Sequence, residues 1–479
     1  MSDRHHVHAI LAASAAAVGG FLFGFDTAVI NGAVLALQQF FDIDATAVGL
    51  SVSLTLLGSA VGAILAGRLA DQLGRRVAMV IAAVLFTVSA IGSGFPFTVY
   101  DFIVWRVIGG VGVGMASAIA PAYIAEVSPA GIRGRLGSLQ QMAIVLGIFA
   151  ALLSNWAIGE GSGGAALPFW FGASSWRWMF WMETPAALLF GVAALLIPES
   201  PRYLVAKGRL DEARLVLARV VGGDVEAKVQ EIRDTVLTER RPRLSDTLGG
   251  RYGFLPVVWL GIGLSVFQQF VGINVIFYYG SMLWRAVGFS ESSALAITMI
   301  TGLTNIVTTV LAILLIDRFG RRPLLMVGSA GMLVTLTVMA FVFGNAPVDA
   351  AGNPSLGSTA GITALVAANL YVFCFGFSWG PVVWVMLGEM FSNKIRAAAL
   401  GLAACVQWIA NFAVSFSFPP LAEHLGLAFA YGIYATFAGL SWWFVYSKIP
   451  ETRGIELEAM GSLIERPHAG GVADALAEG

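Results

Sequence analysis

Charge is what this sequence of 479 residues has least of. Asp, Glu, Lys and Arg make up 12 % of it and hydrophobic residues 57 %, where a soluble chain averages about 25 % and about 45–50 %. A soluble globule this apolar has too little polar surface to cover itself, so that class is excluded. The formal net charge of −1 leaves no electrostatic footprint for nucleic acid. Cysteine is scarce too. Cys374 and Cys405 both lie inside apolar runs, which excludes a disulfide framework and a thiolate metal site. Three of the five histidines crowd the N-terminal segment and form no ligand set, so no metal is expected. No Gly-rich loop ends in Lys-Ser or Lys-Thr, so ATP is not the driving force and no cofactor is expected. The run Gly109-Gly110-Val111-Gly112-Val113-Gly114 sits in an apolar stretch, where close helix packing explains it better than phosphate binding.

Long apolar runs are what the sequence has instead. A helix needs about 20 apolar residues to cross the hydrocarbon core. Twelve such runs occur, at roughly 9–32, 47–67, 77–97, 102–122, 137–157, 178–197, 254–280, 294–316, 324–344, 363–388, 398–418 and 428–447. The first is not followed by a small-residue cleavage site and reads as a retained span. The fold expected is an all-α integral membrane protein bound to the lipid bilayer. The even-numbered short loops carry Arg68, Arg75, Arg76, Arg133, Arg135, Arg318, Arg321, Arg322, Lys394 and Arg396, and the odd-numbered ones only Arg177 and Arg285. Positive charge stays inside, so a multi-pass protein of the cytoplasmic (inner) cell membrane with both termini cytoplasmic is expected. Residues 198–253 hold eleven of the 28 basic residues and read as cytoplasmic linker helices, at 209–221 and 224–239. They divide a bundle at 1–197 from another at 254–455, and 456–479 form a cytoplasmic tail whose end, 464–479, reads as disordered.

Every Lys and Arg falls in a loop or terminus except Arg106, within the fourth span; Asp26 lies deep in the first and Glu183 in the sixth. Ionisable groups at such depth are costly and point to function. The halves also repeat each other. Asp71-Gln72-Leu73-Gly74-Arg75-Arg76 follows span two, and Asp317-Arg318-Phe319-Gly320-Arg321-Arg322 follows span eight. Glu126 and Arg133 follow span four, with Glu389 and Arg396 at the same spacing after span ten. Pro198-Glu199-Ser200-Pro201-Arg202 ends span six, and Pro450-Glu451-Thr452-Arg453-Gly454 ends span twelve. Three matched pairs in one order mean two six-helix halves, a layout suited to alternating access around a central site.

With these motifs and Gln268-Gln269-Phe270-Val271-Gly272-Ile273-Asn274, the chain resembles the sugar porter family of the major facilitator superfamily over residues 10–460, most of all bacterial proton-coupled glucose carriers. The resemblance implies the major facilitator fold and a monosaccharide carrier that is not an enzyme and works as a monomer. Side-chain amides suit a sugar because each hydroxyl both donates and accepts. Interhelical hydrogen bonding is the bland alternative, worth about 0.6 kcal/mol each. By resemblance, Gln141, Gln268, Gln269, Asn274, Asn305 and Gln407 are the hydroxyl ligands, and Phe23, Phe375, Trp384 and Trp408 the aromatic wall, with Tyr278 and Tyr279 nearer the outer gate. Ile148 replaces a further amide of pentose-type carriers and leans towards hexose, glucose first. Pro381 removes a helical donor and is expected to kink or break span ten. Trp176, Trp178, Trp181, Trp442 and Trp443 fit an interfacial belt.

Asp26 and Arg106 read either as a structural ion pair or as a proton switch, since desolvation makes a merely stabilising buried pair a poor bargain. Proton-coupled relatives carry Asp at the matching place, which favours the switch. Glu183 matches a second carboxylate of some symporters or serves as a structural partner. Asp71, Arg75, Arg76, Glu126, Arg133, Glu199, Asp317, Arg321, Arg322, Glu389, Arg396 and Glu451 are expected to form a cytoplasmic ion-pair latch, closed when the carrier opens outward and broken when it opens inward. The expected function is import of a monosaccharide with a proton. The alternatives are a facilitative uniporter and a non-transporting sugar sensor, the latter disfavoured by a tail of only 26 residues after Arg453.

Overall fold

The computed structural model describes residues 2–129, 132–220, 224–238, 244–249, 253–347, 355–392 and 395–452. Without water to bond the backbone, an apolar chain must satisfy its own N–H and C=O groups, and helices do so within one segment. The chain accordingly folds into helices: α1 (Ser2–Phe41), α2 (Ala45–Leu73), α3 (Arg75–Gly94), α4 (Val99–Val127), α5 (Arg133–Ser162), and α6 (Ser175–Trp181) running into α7 (Glu183–Leu196). Three short helices follow, α8 (Pro201–Ala206), α9 (Leu210–Val220) and α10 (Val225–Thr238). The second half has α11 (Pro256–Phe270) and α12 (Ile273–Ala286), α13 (Glu291–Phe319), α14 (Arg321–Gly344), α15 (Ser358–Gly376) and α16 (Trp379–Met390), α17 (Arg396–His424) and α18 (Gly426–Lys448).

Eleven of the resulting spans are long and apolar enough to cross a membrane. The twelfth is α18, 23 residues long. Twelve spans in two halves give the major facilitator fold. The linker helices share a small core of their own, from Tyr203, Leu204, Val205, Ala213, Leu217 and Val229. Residues 464–479 and the Arg453-Gly454 end of the second repeat motif lie outside the described residues.

Small residues let the spans approach closely, as expected without a hydrophobic drive between helices. Gly58 and Gly62 of α2 face the Val107 and Val111 carbonyls of α4, while Gly110 and Gly114 of α4 face the Thr55 and Ser59 carbonyls of α2. Any side chain at these four positions would run into backbone. The glycine run of span four is therefore a packing device, as its sequence implied.

The two ends of the bundle differ. At the end away from the basic loops, one apolar core runs through both halves, joining Val29, Val34, Val52 and Leu152 to Ile276, Phe277, Ile297 and Phe418. Polar contacts cross there too. Ala165 N–H donates to Glu291 Oε1 (2.6 Å), and Ser292 bonds Glu160. At the basic end the first half keeps a separate core, with Leu22, Ala66, Ala82, Ile119 and Ala187. Trp408 is the one second-half residue packed against it among the described residues. The halves are thus sealed at one end and parted at the end that bears the basic loops.

Trp176 departs from the interfacial belt expected of it. It is 1 % exposed, its ring lies 5.5 Å from Phe40, and the Arg177 guanidinium covers it at 4.6 Å. Its neighbours Phe40 and Arg177 cover it more completely than a headgroup region would.

Candidate functional site

Two breaks in the second half expose polar groups at mid-span. Gly272, at φ 85°, separates α11 from α12, a backbone state that glycine adopts without cost. Gln268 and Gln269 precede this break and Asn274 follows it. The three amides form a chain: Gln269 Nε2 donates to Gln268 Oε1 (3.3 Å), and Asn274 Nδ2 donates to Gln269 Oε1 (2.6 Å). Gln268 Nε2 spends its protons on the Trp379 and Gly380 carbonyls (2.8 and 3.2 Å), which begin α16. The second break, at Phe377-Ser378, precedes Pro381, so the proline lies in the first turn of α16, where its missing N–H costs nothing. Asn305 of α13 faces this break, beside Gly376.

Aromatics surround these amides. Phe23 of α1 meets Trp408 of α17 across the halves, with ring centroids 5.7 Å apart. Phe375 lies against Gly380, and Trp384 is 42 % exposed one turn further along α16. Gln407 Oε1 is buried without a hydrogen-bond partner among the described residues. Gln141 is half-buried on α5, whereas its neighbour Gln140 is turned into the packing against Gly20 of α1. Tyr279 is fully buried in the sealed-end core, and its hydroxyl donates to the Ser415 carbonyl (2.8 Å), anchoring α12 to α17. Tyr278 instead faces the first half.

There, Arg106 and Asp26 form a buried pair. Arg106 Nη1 donates to Asp26 Oδ1 (2.6 Å) and Nη2 to the Asp26 carbonyl (2.9 Å). Asp26 is 0 % and Arg106 2 % exposed, and the guanidinium lies 5.6 Å over the Phe180 ring. Glu183, 1 % exposed, opens α7 after the turn at Met182 and lies beside Asp26. Three ionisable groups from α1, α4 and α7 thus converge. A narrow crevice lined by Asp26, Thr55, Arg106, Tyr278 and Trp408 joins them to the aromatic wall.

The repeated basic motifs form two matching clusters. Arg75 donates from Nη2 and Nε to the Glu126 carboxylate (both 3.0 Å) and from Nη1 to the Ala70 carbonyl (3.0 Å). Arg321 does the same with Glu389 (2.8 and 3.2 Å) and the Ile316 carbonyl (3.2 Å). Glu199 accepts from the Arg75 and Arg76 N–H groups (2.9 and 3.2 Å). Glu451 accepts from those of Arg321 and Arg322 (3.0 Å each). Each glutamate caps the first turn of a helix, where bare N–H groups and the dipole favour an anion. Gly74 (φ 98°) and Gly320 (φ 89°) adopt the turn, and a Cβ at either would collide with the capping carboxylate.

This arrangement corrects the latch expected from sequence. The pairs join helices within one half and are formed although the basic end is parted. Asp71 lies 3.4 Å from Arg75, also within its half. Glu389 pairs with Arg321 and Thr452 Oγ1 (2.6 Å), not with Arg396, whose Nε donates to the Phe391 carbonyl (3.0 Å). The side chains of Arg133 and Asp317 lie outside those described.

Sequence reasoning missed two asparagines. Asn31 donates to the Ile276 and Phe277 carbonyls (3.2 and 3.0 Å) and accepts from Ser281 N–H (3.1 Å), tying α1 to α12. Asn411 donates to the Tyr278 hydroxyl (3.1 Å). Both are polar residues deep in apolar runs, as Asn305 is.

The pattern of the family described as "Sugar (and other) transporter" matches residues 12–463. A glucose transport protein of Synechocystis sp. is 62 % identical over 94 % of this chain and 96 % of its own. The D-xylose-proton symporter of Escherichia coli K12 is 38 % identical over 94 % of each. Among solved structures, the inward open conformation of the E. coli xylose transporter XylE superposes with a TM-score of 0.81, at 36 % identity over 94 % of this chain and 98 % of the other. The complex of XylE with 6-bromo-6-deoxy-D-glucose gives 0.76, at 37 % identity over 96 % of this chain and all of the other (100 %). The superposition on the inward open form agrees with the parted basic end. The chain belongs to the sugar transporter family.

Proposed function

We propose that this protein imports a hexose, glucose first, together with a proton, by alternating access across the inner cell membrane, with its basic end and termini in the cytoplasm. The observation that carries the reading is the crevice that runs from the buried Asp26–Arg106 pair to Trp408 and Tyr278, because it supports a direct coupling between a proton switch at the pair and a sugar site at the aromatic wall. The similarity to a glucose transport protein over nearly the whole chain supports the sugar, and the likeness to a proton symporter supports the coupling.

In this reading the amides Gln141, Gln268, Gln269, Asn274, Asn305 and Gln407 meet the hydroxyls, and the aromatic faces of Phe23, Phe375, Trp384 and Trp408 cover the ring. The inward-open form has its halves parted at the cytoplasmic end, and Asp26 is held by Arg106 as a carboxylate after proton release. Outward opening must break the Asn31 contacts between α1 and α12. Asp26 then takes up a proton, which weakens its hold on Arg106, and sugar binding returns the halves to the inward form. The Arg75 and Arg321 clusters keep each half rigid while it rocks. One chain contains both halves and both sites, so a monomer suffices.

A membrane potential contributes about 2.3 kcal/mol per charge per 100 mV, and about 1.4 kcal/mol is tenfold in concentration. One proton at about 150 mV therefore sustains accumulation on the order of a few hundredfold. The test is uptake of labelled sugars into proteoliposomes with a proton gradient that can be collapsed. Glucose should accumulate and stop doing so when the gradient is removed. Equilibration that ignores the gradient would make the protein a uniporter.

A further inference from the structure

The start of α16 is held from behind by buried hydrogen bonds. The Trp379 indole Nε1 donates to Ser329 Oγ (2.8 Å) and to the Leu325 carbonyl (3.2 Å), both on α14. Ser329 Oγ lies 2.9 Å from Ser441 Oγ on α18, and the Ser441 hydroxyl donates to the Ala438 carbonyl (2.7 Å). An indole N–H only donates, and Ser441 has spent its proton. The hydrogens therefore run one way, from Trp379 to Ser329 to Ser441. All three residues are fully buried.

The backbone of Trp379 faces the amides. Gln268 meets the Trp379 and Gly380 carbonyls (2.8 and 3.2 Å), and a carbonyl can only accept. The Nε2 end of Gln268 must face them, which turns its Oε1 toward Gln269. Gln269 then presents Nε2 to Gln268 (3.3 Å) and Oε1 to Asn274, whose Nδ2 donates to it (2.6 Å). Turning any one of these amides over would set acceptor against acceptor or donor against donor. Two carbonyls at the start of α16 thus decide the direction of all three amides. Gln268 is left with acceptor capacity alone, while Gln269 Nε2 keeps its second proton for a ligand.

We propose that Trp379 and Ser329 are positioning residues of the sugar site: they hold the start of α16 so that its carbonyls fix the direction of the chain Gln268–Gln269–Asn274. This rests on the assignment of these amides to the sugar. The helices concerned, α11, α14, α16 and α18, all belong to the second half, so the frame travels whole as the halves rock. It acts on sugar affinity and leaves turnover alone.

The experiment is equilibrium binding of labelled glucose to the purified protein, beside exchange of labelled for unlabelled glucose in proteoliposomes. Trp379→Phe keeps an aromatic ring and loses both indole bonds. Glucose affinity should fall about three- to tenfold, the size of a lost hydrogen bond, while exchange at saturating glucose keeps its maximal rate. Ser329→Ala leaves the indole only the Leu325 carbonyl and should lose affinity by less. In a Gln268→Ala background both effects should vanish, because the chain they steer is already cut. Thr335→Ala, also on α14, removes a hydroxyl that bonds only carbonyls of its own helix (2.8 and 3.2 Å) and should bind as the parent does. Unchanged affinity in both Trp379→Phe and Ser329→Ala overturns the proposal. So does a loss that recurs in full beside Gln268→Ala, or an equal loss in Thr335→Ala. Parental affinity in Gln268→Ala alone would instead remove the amides from the sugar site, so the two failures are distinguishable.

Discussion

Asn31→Ala should tilt the resting equilibrium towards the outward-facing form. The side chain makes three hydrogen bonds from α1 to α12, at 3.2 and 3.0 Å to the Ile276 and Phe277 carbonyls and 3.1 Å from Ser281 N–H. All three cross between the halves at the sealed end, and all must break when that end opens. In the outward form water replaces them, so each counts only at its net value of about 0.5–1.5 kcal/mol. The two carbonyls also serve their own helix, which puts the loss near the lower end, at about 2 kcal/mol in total. At about 1.4 kcal/mol per decade, the ratio of outward to inward form should rise roughly thirtyfold. A carrier resting at about one part outward in a hundred would come to rest near one in four.

The assay is labelling of a cysteine placed at Leu295, 1 % exposed at the seal beside Gly159, after Cys374 and Cys405 are replaced. A membrane-impermeant maleimide added outside should react slowly in the parent and many times faster with Asn31→Ala. The external half-saturation for glucose should fall too, because a binding form that is scarcely populated weakens apparent affinity in proportion. Ser281→Ala, which removes the separate bond from the Ser281 hydroxyl to the Asn31 backbone carbonyl, should shift both readouts in the same direction. Unchanged labelling and unchanged half-saturation in Asn31→Ala would refute the reasoning.

Gln269→Ala should cost about 1–3 kcal/mol of glucose affinity, because it removes a ligand and leaves Asn274 Nδ2 unpaired; equilibrium binding that matches the parent would remove the amide chain from the site. Asp26→Asn keeps shape but cannot exchange a proton, so it should lose gradient-driven accumulation and retain sugar exchange. Undiminished accumulation would move the proton site to Glu183. Arg321→Ala breaks a bidentate pair and frees the Ile316 carbonyl, which should slow cycling and lower thermal stability of the purified protein while leaving sugar competition unchanged. Altered selectivity with normal cycling would contradict the proposal that this cluster keeps its half rigid.

The twelve spans, the two halves and the repeat were legible because each is written in composition or spacing. The pairing of the basic motifs was not. Glu389 and Arg396 are seven residues apart, which invites a pair, yet α16 ends at Met390 and the turn sends Arg396 back to the Phe391 carbonyl. Arg321, distant in sequence, arrives from the α13–α14 turn with a fork that matches the carboxylate. Tyr278 and Tyr279 show the same limit. Adjacent residues on one helix point about 100° apart, so one faces the proton pair and the other is consumed by Ser415. Asn31 and Asn411 carried a readable signal, polarity deep in an apolar run, but their partners are backbone carbonyls and a tyrosine that no local pattern places beside them.

The halves divide the work unequally, and the packing explains why. In the first half the glycine contacts of α2 and α4 set backbone against backbone, and Arg106 hangs from one of these closely packed helices. In the second half the spans break at Gly272 and at Phe377-Ser378, and the amides gather at those breaks. In the proposed mechanism the Asp26–Arg106 pair is thus mounted in a close-packed frame, while Gln268, Gln269 and Asn274 stand at an interruption of their span. A close-packed frame has little freedom to change the surroundings of Asp26 from within. What can change is the part the other half brings up to it, namely Tyr278 and Trp408 across the crevice. Under the proposed function, coupling then needs no long pathway: the second half, which carries most of the proposed sugar ligands, also presents Tyr278 and Trp408 to the Asp26–Arg106 pair, so one rocking motion would alter both sites.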